Sequence, residues 1–125
     1  MPAAKANFPM AIDPEAQQVL SVFRDPPRVD VFEMESGKEL ASVTTCGDAD
    51  DLWIDRKRRR IYVSCGDGHV AVLSRDGGGL KEVEQVRTIE GARTSLFLPD
   101  LDLLFVAARA RGAEKAAVWV YRVGD

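Results

Sequence analysis

The chain has 125 residues, 46% hydrophobic and 30% charged, a balance that belongs to a folded globular domain rather than to a disordered or collagen-like segment. Its 20 acidic and 17 basic side chains leave a net charge of −3, so no overall basic field draws it to nucleic acid or to anionic lipid. No apolar run approaches the roughly 18 to 20 residues of a membrane-spanning helix, and the opening MPAAKANFPMAIDPE lacks the basic start, apolar middle and small-residue cleavage site of a signal peptide.

Taken in chain order, short β-branched and aromatic runs broken by Asp, Gly and Pro predict strands at 8–12, 19–23, 29–33 and 38–43. A second group follows at 51–54, 60–65, 69–74 and 80–87, and a third at 94–98, 103–108 and 117–123 with no fourth member. The groups repeat. Ile12-Asp13 aligns with Ile54-Asp55 and with Leu98-Pro99, at spacings of 42 and 44 residues. A period of about 40 to 45 with four short strands per unit marks a β-propeller. The expected fold is therefore all-β: propeller blades at about 8–43, 51–87 and 94–123, the last lacking its fourth strand. The runs LLFVAA and VWVYRV are apolar on both side-chain faces, as strands stacked between neighbouring blades require. Helical periodicity is missing, and a β-sandwich of the same strand count leaves the repeat unexplained. Trp53, Val63, Val72, Phe97, Val106 and Trp119 fall in the inner three strands of their groups and are expected to be buried between blades.

The stretch IYVSCGDGHVAVL resembles the YVTN-type repeat of lactonase-like and quinoprotein-dehydrogenase-like seven-bladed propellers, in which a tyrosine-valine strand, a Gly-Asp-Gly turn and a Val-x-Val strand follow one another. The stretches GDADDLWIDRKRRRIYVSCGDG and GARTSLFLPDLDLLFVA look like the last blades of exported bacterial propellers. The resemblance implies a periplasmic or extracellular location. It specifies fold and says little of activity, because propellers host binding, scaffolding and catalysis alike. Propellers carry four to eight blades, so three blades of which the last is incomplete imply either a portion of a longer ring or a homodimer that closes six blades.

In such blades the loops entering each inner strand and those joining second to third strands share one face, where propellers bind. Six residues there are candidate ligand contacts: Asp48, Asp50, Asp51, His69, Arg93 and Thr94. The three aspartates are a hard oxygen cluster suited to Ca²⁺, yet the full calcium-loop spacing is missing. The favoured alternative has Asp48 and Asp50 bonding their own turn and Asp51 pairing with Arg93. A guanidinium at Arg93 beside Thr94 suits a carboxylate or phosphate. His69 is the single histidine, which excludes a pair of histidine metal ligands. Cys46, Cys65 and His69 fit no zinc spacing, and Cys46 and Cys65 read as small apolar filler, with a disulfide between them left open. No metal or other cofactor is expected. The run Arg56-Lys57-Arg58-Arg59-Arg60 lies on the opposite face without interleaved aromatics and reads as a solvated turn. The leading expectation is a non-enzymatic module that binds a protein partner or small ligand through the loop face. A lactonase-like hydrolase and a structural fragment of a larger propeller stand as alternatives.

Overall fold

In this computed structural model, which describes residues 5–76, 79–92, 94–110 and 112–124 (5–8 as backbone), the chain is all β, with no α-helix among the described residues. Eleven strands form three antiparallel sheets. Blade 1 contains β1 (Lys5–Asp13), β2 (Gln18–Asp25), β3 (Pro27–Glu33) and β4 (Glu39–Thr44), paired in that order. Blade 2 contains β5 (Ala49–Asp55), β6 (Arg60–Cys65), β7 (His69–Ser74) and β8 (Lys81–Arg87). Blade 3 contains β9 (Thr94–Leu98), β10 (Leu103–Ala108) and β11 (Ala117–Arg122).

The sheets stack, and each junction has its own core. Leu20, Val22, Val29 and Val31 of blade 1 meet Leu52, Ile61, Val63 and Leu73 of blade 2, all buried. The alternate side chains of blade 2, Tyr62, Val70 and Val72, meet Phe97, Leu104 and Val106 of blade 3, with Tyr62 and Phe97 edge to face at 5.2 Å. A strand sandwiched between two blades must be apolar on both faces, and β6 is buried from Ile61 to Cys65. The outer strands β4 and β8 instead alternate polar and apolar residues, which suits a rim wetted on one side.

Two details differ from the sequence reading. The turns after β1, β5 and β9 each end in a residue at positive φ, namely Gln17 (55°), Arg59 (54°) and Asp102 (55°). Each inner strand's last residue pairs five positions on: Asp13 with Gln18, Asp55 with Arg60, Leu98 with Leu103. The third repeat therefore aligns on Phe97-Leu98, one residue earlier than the Leu98-Pro99 match, and its period is 43. A leucine occupies the position that aspartate holds in the first two repeats, which misled the motif alignment. The second difference concerns burial. Val63, Val72, Phe97 and Val106 are buried as expected, but Trp53 is half-buried and Trp119 is exposed. Trp119 lies on β11, with whose outer edge no described strand pairs, so its sheet position alone does not bury it.

Candidate functional site

The loops predicted to share a face do come together, and the sequence explains how. Asp48 sits at a φ of 58° in the loop entering β5, a conformation that aspartate tolerates better than most residues, and its carbonyl accepts the Gly66 N–H at 2.8 Å. Glycine is favoured at position 66, because a Cβ there would displace the Asp48 carboxylate. The turn Gly66–Gly68 reaches the next loop through Gly91 N–H to Gly66 C=O at 2.7 Å.

The aspartate trio joins all three blades. Arg24, at the end of β2, donates to the Ala49 carbonyl at 2.9 Å and lies 3.6 Å from Asp48 and 3.4 Å from Asp50. Asp50 also accepts from the Thr94 hydroxyl at 3.4 Å, and Asp51 accepts the Ser95 N–H at 2.7 Å. Beside them the Trp53 indole donates to Ser95 Oγ at 2.9 Å. Burial pushes the Asp51 carboxyl above the usual carboxylate range; the Asp50 charge adds to the rise and the Ser95 N–H opposes it. These carboxylates thus hold blades 1, 2 and 3 in register. Arg93, the expected partner of Asp51, lies outside the described residues; among those described, the Ser95 N–H bonds Asp51.

Cys46 and Cys65 are joined in a disulfide, with Cα atoms 5.9 Å apart, which corrects the reading of the two sulfurs as free apolar filler. The bond ties the loop entering β5 to the end of β6. Asp67 completes a group whose ligand atoms all lie within 4.8 Å of one another, but with both sulfurs committed to each other only its carboxylate is available to a cation. His69, half-exposed, pairs through Nδ1 with Asp67 at 3.3 Å, and Asp67 in turn accepts the Gly47 N–H at 3.0 Å. The sequence singled out His69 and missed Asp67, whose Gly-Asp-Gly setting looked like turn chemistry alone.

At the loop end of blade 3 lies an open hollow of about 700 Å³. It is lined by Ala107, Ala108, Ala116, Ala117 and Val118 together with Gly91, Thr94 and Arg109. Of the six sequence candidates, Thr94 alone lines it among the described residues.

On the opposite face the basic run is the expected turn, with Arg56, Lys57 and Arg59 exposed, but it also carries ion pairs between blades. Arg56 reaches back to blade 1, 3.1 Å from Asp13 and 2.8 Å from Glu15, while Arg58 bridges Asp55 at 3.2 Å and Asp102 of blade 3 at 3.0 Å. Arg75 adds a 2.7 Å bond to Asp13 and a 2.5 Å bond to Gln18. Asp55 also accepts the Tyr62 hydroxyl at 2.5 Å. Burial and then that bond push the Tyr62 pKa far above the phenol range. The run fastens blade 2 to both neighbours. Its arginines were legible as charge, but Asp13, Glu15 and Asp102, their partners in other blades, are announced by no local spacing.

Stacked antiparallel sheets of three or four strands, with the loops between them gathered at one end, define a β-propeller arc. No protein-family profile matches the chain, and no curated protein does. Solved structures do. A chain of a mitotic checkpoint complex superposes with a TM-score of 0.76 at 18% identity over 93% of this chain and 36% of its own. The hydrazine synthase of Kuenenia stuttgartiensis gives 0.77 at 17% identity, covering 90% of this chain and 33% of its own. A candidate 6-phosphogluconolactonase from Bacteroides uniformis gives 0.74 at 16%, covering 92% and 36%. At such identities the likeness establishes the fold alone. The chain spans about a third of the length of these neighbours.

Proposed function

We propose that this chain is a propeller module of YVTN type that binds a protein partner through its loop face. The hollow at the loop end of blade 3 carries the reading. Its lining of small apolar side chains together with Arg109 and Thr94 suits an amphipathic protruding group bearing a carboxylate. The Cys46–Cys65 disulfide supports an exported, oxidising setting, in keeping with the resemblance to exported propellers. The aspartates proposed as ligand contacts act on this face mainly by holding its shape, and Asp67, His69 and Thr94 remain as its polar contacts.

A photo-crosslinking residue at position 116, in the hollow, is expected to capture a covalent partner in cells, whereas one at the exposed position 83 of β8 is not. Equal capture from both positions, or none from 116, removes the reading. The enzymatic alternative draws on the lactonase-like neighbour. It replaces the binding reading if the purified chain hydrolyses a sugar lactone and His69→Ala or Arg109→Ala abolishes the activity.

A further inference from the structure

Four donor groups of the kinds that bind transition metals meet where the hairpin of β6 and β7 approaches the loop ahead of β5. The strand register sets Cys65 directly opposite His69, so the two side chains leave the same face of the sheet, and Asp67 stands in the turn between them. A spacing of two residues matches no zinc-finger pattern, but a hairpin folds it onto one face. Cys46 comes from the loop ahead of β5 and is bonded to Cys65. The two sulfurs and a carboxylate oxygen of Asp67 all lie within 4.8 Å of one another, and His69 Nδ1 is 3.3 Å from Asp67 Oδ1.

The distances fit a tetrahedral ion. Nitrogen and oxygen ligands lie roughly 2.0 to 2.1 Å from zinc, so two of them on one ion are about 3.3 Å apart. The His69–Asp67 pair already has that spacing. The Gly47 N–H donates to Asp67 Oδ2 at 3.0 Å, which orients the carboxylate and leaves Oδ1 beside the imidazole. Thiolates lie about 2.3 Å from zinc and so about 3.8 Å from each other. The 5.9 Å between the Cα atoms of Cys46 and Cys65 leaves room for that once their bond is opened. Both cysteines are buried, whereas the Asp67 and His69 side chains are 41 and 34% exposed, so an ion has a dry wall on one side and an entrance on the other.

We propose that the Cys46–Cys65 disulfide and a zinc site are alternative states of this loop: once the disulfide is reduced, Cys46, Cys65, Asp67 and His69 together hold one Zn²⁺. A dithiol reductant gives the bond two electrons and two protons and is itself oxidised to a disulfide; each cysteine thiol then loses its proton as its sulfur takes the ion. Soft thiolates select zinc over Ca²⁺ and Mg²⁺. In either state the loop entering β5 stays tied to the end of β6, so the contacts of Asp48 and Asp50 with Arg24 keep their anchor. Neither the hollow of blade 3 nor a partner on the loop face takes part.

The intact chain, reduced with a dithiol and freed of it by gel filtration without oxygen, is titrated with Co²⁺. A thiolate-to-cobalt charge-transfer band and the visible bands of tetrahedral cobalt should appear and saturate at one ion per chain. Zn²⁺ should bleach them and restore the Tm that reduction lowers, whereas excess Ca²⁺ or Mg²⁺ should do neither. The disulfide-bonded chain should give no such bands. His69→Ala and Asp67→Asn should each weaken cobalt binding about tenfold or more, since even outer partners of a metal site are worth that much, while their disulfide-bonded forms keep a Tm close to that of the parent. A reduced chain that stays folded yet takes up no cobalt at micromolar free ion overturns the assignment, as does one that unfolds on reduction and is not refolded by Zn²⁺. Cobalt binding that either variant leaves unchanged overturns it too, because that side chain is then no ligand.

Discussion

Replacing Arg75 by Met tests whether the face opposite the loops is a clamp. Met keeps the apolar stem and removes two bonds, at 2.7 Å to Asp13 and 2.5 Å to Gln18. A hydrogen bond to a charged group contributes about 1.5 to 3 kcal/mol, and Asp13 is 5% exposed, so water does not replace the lost donor. Arg56 still reaches Asp13 at 3.1 Å, but its own side chain is 42% exposed and compensates only partly. The expected loss is about 2 to 3 kcal/mol, which for a domain of this size lowers the Tm by roughly 10 °C. A double-mutant cycle with Asp13→Asn should show a coupling of at least about 1 kcal/mol in urea melts. The pH arm has a definite sign. Burial opposes ionisation of Asp13, but the Arg75 bond, the Ala16 N–H and the charges of Arg75 and Arg56 outweigh it and hold the carboxyl below its ordinary 3.8. Its stabilisation is therefore present above that value and fades as pH falls through the lower folded pKa, and Arg75→Met should move this loss to higher pH. Additive single effects, within about 0.3 kcal/mol, together with an unmoved acid limb would refute the clamp.

Cys65→Ser should cost about 3 kcal/mol, from the entropy of opening a loop whose ends are 19 residues apart, and a reductant should lower the parent's Tm by a similar amount while leaving the variant unchanged. Gly66→Ala should cost about 1 to 3 kcal/mol by displacing the Asp48 carboxylate, and adding Asp48→Gly should recover part of the loss in thermal melts. If the double variant is no better than the single, the steric account fails. Asp51→Asn should leave stability at neutral pH within about 0.5 kcal/mol of the parent. The raised Asp51 pKa means that its charge opposes folding above the ordinary carboxylate range, and Asn still accepts the Ser95 N–H. A loss beyond about 1.5 kcal/mol would show that the negative charge itself is needed.

The strands were legible because they rest on local signals. β6, β7, β9 and β10 have the bounds that their apolar runs and flanking turns imply, and the repeat places them in blades. β1 begins at Lys5, ahead of its apolar core, because pairing with β2 extends it through a bulge between Asn7 and Met10 that leaves no mark in composition. The site was legible by position and poorly by role. Asp50 and Asp51 lie on the expected face, yet their partners, Arg24, Thr94 and the Ser95 N–H, come from other blades some 26 or 44 residues away. The disulfide was an open alternative for the same reason: register between β5 and β6, which sets Ala49 opposite Cys65, brings the sulfurs together. Arg109 and the alanine lining of the hollow carry no motif, since small residues signal nothing until a surface is folded around them.

The two ends of the arc divide the work of cohesion from that of recognition. Between blades 1 and 2 carboxylates and arginines are joined at both ends of the stack; between blades 2 and 3 an ion pair joins one end, and Asp50 and Asp51 accept from the Thr94 hydroxyl and the Ser95 N–H at the other, while the middle is apolar. An ion pair partly shielded at a blade junction fixes angle and register more than it adds stability, because desolvation offsets much of its Coulomb energy. The same pairs consume the charge that the sequence displays so prominently at Arg56–Arg59 and Asp48–Asp51. What the described residues leave open at the loop end is the hollow beside Thr94 and Arg109, while Met10 and Ile12 of blade 1 and Val118 and Val120 of blade 3 are exposed apolar side chains on the two outer blades. Blade 2 is clasped from both sides, and blade 1 is tied through Arg24, Asp13 and Glu15. The binding proposed for the loop face draws on that hollow, where a partner adds contacts without breaking any that hold the blades together.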